Sequence, residues 1–482
     1  MVVPGVLVAV ALLPPSNPRQ PLTTAAGLQQ DLNVLEQALR LHPGVYRYQT
    51  PAQVQARLDA MRRDFARGAT LEQVYLRISD FCGSLKCGHT YANFFNQEDA
   101  VKRRIHERPN RVPFCFVWIG GEIVVTRDLS NGNRFPRGTR VKAIDGVPTR
   151  TILARLIPFS RADGGNDAKR VANLEVTGCA AYEAFDVFYP LLFPPTAASR
   201  TFKIEAPGRS PSTVVAELVP GSRKKPTQEA ADPSRPLWTL TFPRPDTALL
   251  SMPDWAIYQS KWSWQAWLDT TLDDLVQRSV PNLIVDLRGN EGGNAVGDLI
   301  LRRLVRAPAR GPEYERRTRY QAVPPSLRPH LTTWDSSFYD WKGAVTPLDR
   351  GFFRLRRLGD EIAAVIQPSG RPYTGRVFVI VGPENSSATF EFALKVKQLR
   401  LGTLVGRPTG GSRRGINGGG FFFLTLPNSR IEIDIPLIGQ FPRTPQPDAG
   451  VVPDLLVTPS ASDIATGRDV ELTAILKQTN KR

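Results

Sequence analysis

Two short, almost wholly apolar runs, Leu283–Leu287 and Val377–Val381, each pass through a tight turn into a helical pattern. A third run, Thr403–Val405, follows the second helix closely. Strands covered on both faces lose the alternation of a half-exposed strand and read as continuous apolar segments. Strand–helix–strand at this spacing implies parallel pairing through a right-handed crossover. The chain from about residue 238 onward is therefore expected to be α/β. A helix over 260–279 precedes the first strand, and helices over Asn294–Val305 and Ser387–Leu399 follow the turns. Residues 309–372, rich in Arg and Pro, carry no assignable pattern.

The N-terminal half is organised differently. Leu28, Leu32, Leu35 and Leu39 recur at helical spacing and stop at His42-Pro43-Gly44. Thr50-Pro51 reads as an N-cap with proline at the first helical position. Thr70 with Gln73 forms a capping box ahead of Val74, Ile78 and Phe81. Phe114–Ile119 and Ile123–Thr126 flank Gly120-Gly121 as a hairpin, and Arg140–Pro148 is an alternating strand running into a turn. The expected layout is an apolar N-terminal segment (1–25), a helical module (26–110), a β-rich module (111–206), a linker (207–237) and an α/β core (238–482).

Composition narrows the function classes. Hydrophobic residues at 41% and charged residues at 22% describe an ordinary globular chain. No apolar run reaches the length of a membrane-spanning helix. Four Cys and four His are too few for a disulfide framework and leave no evident metal ligand set. The net charge of +17 suggests nucleic acid at first, but the basic residues are scattered arginines without a sustained block, so no nucleic-acid role is expected. A basic surface still favours acidic partners or peripheral contact with an anionic membrane. The opening MVVPGVLVAVALLPP is similar to the apolar core of a secretory signal without its basic start, so an extracytoplasmic (periplasmic or secreted) location is expected. Export would allow Cys82 and Cys87 to close a short disulfide loop.

The chemistry concentrates at the two turns. Ser386-Ser387-Ala388 opens a helix directly after a buried strand, where free N–H groups and the helix dipole favour a developing oxyanion. A serine there can also simply cap the helix. The other turn, Asp286-Leu-Arg-Gly-Asn-Glu-Gly-Gly-Asn294, carries paired glycines that allow close backbone approach. It lacks the Gly-Lys-Ser/Thr of a phosphate loop, and no nucleotide or other cofactor is expected.

Leu283–Gly293, Val377–Ala393, Val405-Gly-Arg-Pro-Thr-Gly-Gly411 and Gly450-Val-Val-Pro-Asp454 together resemble the ordered motifs of the S41 serine peptidases, the tail-specific or C-terminal processing proteases. The resemblance implies a crotonase/ClpP-like ββα core with parallel strands, and it reads Gly138–Pro148 as part of a PDZ-like module. Counted back from Gly406 at the family's spacing, the nucleophile falls on Ser387, with Ser386 as the other possibility. Two positions depart from the family. Phe390 stands where an acidic residue is usual, and Ser412, followed by Arg413 and Arg414, stands where the Ser–Lys members carry their lysine. Arginine stays protonated and cannot act as a base. Cys87-Gly88-His89-Thr90 is similar instead to the histidine motif of the tricorn-like members, which makes His89 the expected base.

The implied activity is peptide-bond cleavage by Ser387 and His89, with the N–H groups of Gly293 and Ala388 as oxyanion hole and Asp448 as candidate orienting acid. Gly410, Gly411 and Arg413 are the expected substrate contacts, on a glycine-rich stretch (410–420) able to close over a peptide or unfolded protein. No metal and no cofactor are expected. The departures at Phe390 and Ser412 keep a second class open, a non-catalytic binding protein of the same fold for peptide or apolar ligands, as in the retinoid-binding modules that resemble this family.

Overall fold

Parallel registers Leu283↔Val377, Val285↔Val379 and Val379↔Leu404 join the three apolar runs side by side in a computed structural model. The model describes residues 22–178, 180–221, 234–356 and 365–480. The apolar N-terminal run, as far as residue 21, lies outside these described residues. The core sheet runs Leu455–Leu456, Thr403–Gly406, Arg376–Val381, Asn282–Asp286, Thr247–Ser251, Thr239–Arg244. It is parallel except for its last, antiparallel edge strand.

The central strands Asn282–Asp286 and Arg376–Val381 bury both faces. Leu283, Val285, Val377, Val379 and Leu404 point to the side packed by helices Trp264–Gln277, Val296–Leu304 and Ser387–Leu399. Ile284, Phe378, Ile380 and Val405 point to the opposite side, against Leu472 and Ile475 of helix Val470–Thr479. This double coverage explains the continuous apolar runs. Trp262 and Trp267 stack edge-on around Trp238 at 5.0 and 6.1 Å, so they are core residues.

The expected Thr70–Gln73 capping box is present, and Thr50 caps its helix as expected while also forming a box with Gln53. The hairpin is Phe114–Ile119 with Glu122–Asp128, within an antiparallel sheet that continues through Arg140–Ile144, Ser199–Glu205 and Ser212–Glu217. Ser212–Glu217 falls in the expected linker. It pairs along its length with Ser199–Glu205, so the linker is shorter than its Pro- and Ser-rich composition implied.

The unassigned stretch 309–372 supplies strands Tyr314–Thr318, Leu331–Thr332, Val345–Pro347 and Phe353–Leu355 to a second antiparallel sheet. Its longest strands are Asn417–Thr425 and Glu432–Pro442. The sheet shares one core with the N-terminal helices and the β-rich module, where Leu28, Phe81, Phe116, Leu331, Phe422 and Ile435 are all buried together. Strands from residues 314–442 thus complete the N-terminal core rather than extend the α/β core. The glycine-rich stretch is no free flap, because Gly418–Gly420 are inside a strand. Cys82 and Cys87 are buried free thiols, so the Cys82–Cys87 loop is not closed. Among the described residues no helix is long and apolar enough to cross a membrane.

Candidate active site

The strand Arg376–Val381 ends in Gly382-Pro383-Glu384-Asn385, and one buried side chain locks this turn to the neighbouring one. Asn385 Nδ2 donates to the carbonyls of Leu287 and Asn290 at 2.7 and 2.9 Å, and its Oδ1 accepts from Gly382 N at 2.7 Å. Asn290 extends the lock, donating to Met252 O at 2.7 Å and accepting from Gly292 N at 3.0 Å. The two turns therefore form one rigid platform.

Ser386 and Ser387 differ sharply in backbone conformation. Ser386 is extended (φ −132°, ψ 178°) and donates its hydroxyl to Glu291 O at 3.1 Å. Ser387 opens the helix at φ +51°, a left-handed conformation that costs a non-glycine residue free energy and collects at functional sites. Neither serine side chain caps the helix. Gly292 (φ +104°) lies directly against Ser387. A Cβ built on Gly292 would stand 2.8 Å from Ser387 Cβ and 2.9 Å from Ala388 N. Gly293 (φ +132°) is pressed onto Trp255 through a parallel bridge. Among the described residues neither Gly293 N–H nor Ala388 N–H donates a hydrogen bond, which leaves both open beside the serine.

His89 is held by its neighbours in sequence. Gly88 N donates to Asp163 Oδ1 at 2.9 Å, and Gly88 O accepts from Arg161 at 2.8 Å. Cys87 Sγ accepts from Asn417 Nδ2 at 3.3 Å. Thr90 Oγ1 meets His42 Nε2 at 2.8 Å. Gly44 N donates to His42 Nδ1, so His42 carries its proton on Nε2 and donates to Thr90. Burial drives the His42 pKa down to about 3, so it is a neutral strut. His106 is likewise buried, with its pKa lowered to about 3.

The His89 ring lies beside Gly418 and 5.8 Å from the Phe421 ring, and its Nδ1 is buried without a partner. Burial lowers its pKa below 6.5; Asp163 pulls it up, and Arg161 and Lys169 push it down. No hydrogen bond joins Ser387 to His89 among the described residues. Such contacts in unliganded hydrolases tighten only when substrate is bound.

Between the two groups lies an ion cluster that the sequence pattern did not reveal. Arg161 bridges Gly88 O and the Glu291 carboxylate (2.8 Å each), and Lys169 Nζ meets Glu384 O at 2.8 Å and Glu291 at 3.3 Å. Burial raises the Glu291 pKa, but Lys169 and Arg161 outweigh it and hold the carboxyl down to about 2. Glu291 sits in the glycine-rich turn and was in view there. Arg161, Asp163 and Lys169 sit in a stretch without periodicity, so no sequence signal marked them.

Other expected site residues are placed elsewhere. Asp448 does not orient His89. Its Oδ1 accepts from Ser412 (3.0 Å) and Tyr48 (3.2 Å), and its Oδ2 from Gly165 N at 2.9 Å. Gly410 N–H is used by Asn385 O at 2.7 Å, and a Cβ on Gly411 would collide with the Phe390 ring. Both glycines therefore pack behind the serine turn and do not face a substrate. Phe390 fills the space under Gly411, which accounts for an apolar ring at that position. Arg413 donates to Gln446 at 2.8 Å. Lys395 and Lys397 are paired with Asp298 and Asp454 and are unavailable as bases. No cluster of three or more metal-ligating side chains exists among the described residues.

Residues 246–417 match the family model for Peptidase family S41. No curated protein matches the chain. Among solved structures, mature CPAF complexed with lactacystin is 14% identical, with a TM-score of 0.64 over 95% of this chain and 98% of its own. A CPAF mutant gives 0.62 over 95% and 97%, also at 14% identity. The photosystem II D1 C-terminal processing protease covers 90% and 96% at 14% identity, with a TM-score of 0.40. At this identity the likeness to CPAF is one of fold.

Proposed function

We propose that this chain, whose residues 246–417 match the model for peptidase family S41, is a serine endopeptidase working through Ser387 and His89. Ser387 Oγ attacks a peptide carbonyl as His89 takes its proton, and the imidazolium then protonates the leaving amine. Gly293 and Ala388 N–H groups receive the oxyanion, where one donor is worth about 10²–10³ in kcat.

The observation that carries this reading is Ser387 itself. It is a non-glycine residue held at φ +51° at a helix start, with two uncommitted N–H groups beside it. Capping does not explain that strain, since its side chain caps nothing. The low His89 pKa supports the reading, because a base must be neutral at working pH. Peptides and unfolded proteins are the substrate class. We also read the chain as extracytoplasmic, on the apolar run at residues 1–15 alone.

A fluorophosphonate probe tests the assignment. Labelling should occur in the intact chain and in Ser386→Ala, and disappear in Ser387→Ala. Labelling of Ser387→Ala would move the nucleophile to Ser386. No labelling and no cleavage by the intact chain would favour the non-catalytic binding protein.

A further inference from the structure

The serine and the histidine stand on different cores. The helix that Ser387 opens packs Phe390, Phe392 and Ala393 into the core of the parallel sheet. The segment that carries His89 is flanked by Leu85 and Ala92, which belong to the core shared with the second antiparallel sheet. Apolar burial is non-directional and does not by itself hold two cores in register. Proton transfer needs that register, since a misplacement of about 1 Å can cost 10²-fold in rate.

Among the described residues no hydrogen bond or ion pair runs directly from residues 87–91 to the turns at 286–294 and 382–387. Arg161 makes the connection. Its Nη1 donates to Gly88 O and its Nη2 to Glu291 Oε2, each at 2.8 Å. Its guanidinium also lies 4.5 Å from the Tyr91 ring centroid. One planar group thus holds residues on either side of His89 and, through Glu291, the residue before Gly292-Gly293. No other side chain among the described residues is bonded to both Gly88 and Glu291.

Both ends of this connection are fixed. Asp163, from the same loop, accepts from Gly88 N at 2.9 Å, so the N–H and the C=O of Gly88 are both held by residues 161–163. Asn173 Nδ2 donates to Arg161 O at 2.8 Å and ties the loop to helix Asp167–Asn173. At the far end Ser386 Oγ donates to Glu291 O at 3.1 Å. The Arg161 side chain is 25% exposed, and the guanidinium offers two separate nitrogens in a fixed plane, which suits a charge-assisted link that sets geometry.

We propose that Arg161 is a positioning residue, a brace that sets the placement of His89 against Ser387 and the oxyanion donors by tying the Gly88 carbonyl to Glu291. The proposal rests on the peptidase reading and adds to it the element that registers the two halves of the site.

The test measures chemistry per competent site. A fluorophosphonate reacts with the intact chain and with Arg161→Met on the pH plateau of each. The end point counts competent sites, and the rate reports how well serine and histidine are aligned. Arg161→Met should label more slowly per site by about 10–10²-fold. A merely structural role would lower the end point alone, and a rate per site within twofold of the intact chain would overturn the proposal. Glu291→Leu cuts the other end and should slow labelling by a similar factor. The double variant should be no slower than the slower single one, because either cut severs the same link. Multiplied effects would mean two independent roles and would overturn the brace. If Arg161→Met does not fold, Glu291→Leu decides on the same rate criterion.

The pH dependence separates geometry from charge. Burial is the largest influence lowering the His89 pKa; Arg161 and Lys169 add to it, while Asp163 and Glu291 oppose it. The acid limb should therefore move to higher pH in Arg161→Met and to lower pH in Glu291→Leu, although both slow the plateau rate. An unmoved limb in Arg161→Met would put the guanidinium too far from His89 to brace it. If the intact chain neither labels nor cleaves β-casein, the peptidase reading fails on its own. The brace is then decided by NMR of chain carrying ¹³C-labelled histidine, with the His89 signal identified by its loss in His89→Gln. A midpoint raised in Arg161→Met upholds the brace, and an unchanged midpoint overturns it.

Discussion

Gly292 and Ser387 are packed so closely that a Cβ on the glycine would stand 2.8 Å from the serine Cβ. Gly292 also sits at φ +104°, a backbone conformation that L side chains rarely adopt. Gly292→Ala must then either displace Ser387 or move the turn that carries Gly293. Turnover should fall by at least about 10², the size of effect expected from losing one oxyanion donor. Far-UV circular dichroism should stay unchanged. A Gly292→Ala protein with near-normal kcat would show that this contact does not set the geometry of the reaction.

How much of this was legible in the sequence depends on how local the signal is. The strands around Leu283 and Val379 and the helix at Ser387 were readable, because double-sided burial and helical periodicity are written in consecutive residues. The Thr50 and Thr70 caps were readable for the same reason. Tyr314–Thr318 and Phe353–Leu355 were not. They are short strands whose partners lie far away in the chain, and their Arg-rich composition reads as loop. At the site, Ser387 was placed by spacing to Gly406, while Arg161, Asp163 and Lys169 act through contacts more than 70 residues distant in sequence. Asp448 failed as orienting acid because position along the chain says nothing about which donors a carboxylate meets. Tyr48 and Ser412 meet it first.

The His89 environment predicts a pH profile. Burial, the largest influence, lowers its pKa below 6.5, and neutral imidazole is the base form. The acid limb of kcat/KM should therefore have its midpoint below pH 6.5. Asp163 is the largest charge raising that pKa. Asp163→Asn removes the charge and keeps an acceptor for Gly88 N, so the limb should move to still lower pH. A midpoint above 6.5, or an upward shift in the variant, would contradict His89 as the titrating base.

Glu291 bridges two cations, and removing its charge strands one of them. The Lys169 side chain is 2% exposed and would retain only neutral acceptors, the Glu384 carbonyl and the new amide oxygen. Breaking a buried pair costs about 3–5 kcal/mol, and because the glutamate is 46% exposed the loss for Glu291→Gln should be smaller, about 1–3 kcal/mol. The pKa of Glu291 is raised by burial but held at about 2 by Lys169 and Arg161, below its ordinary 4.5. Its stabilisation is thus present above pH 4.5 and lost as pH falls towards 2. Urea titrations should show the gap between intact chain and variant closing over that window. Adding Lys169→Met to Glu291→Gln should recover part of the loss, since the stranded ammonium is gone. Simple additivity of the two changes would argue against a coupled pair.

Asn385 offers the sharpest separation of stability from chemistry. It is fully buried, its amide tethers Leu287 O and Asn290 O, and its oxygen receives Gly382 N. Asn385→Leu keeps the volume and leaves Gly382 N–H without a partner, while Leu287 O keeps Asn290 N and Asn290 O keeps Thr389 Oγ1. One unsatisfied buried N–H costs about 1–3 kcal/mol, so a loss of that size is expected. Two of these bonds, to Leu287 O and Asn290 O, cross from the turn before Ser387 to the glycine-rich turn. Fluorophosphonate labelling should slow even at temperatures where the variant remains folded. Labelling at the normal rate in a destabilised but folded variant would mean that the helix start and the glycine turn hold their spacing without this asparagine. The spacing would then be held by Ser386 Oγ on Glu291 O and Thr389 Oγ1 on Asn290 O.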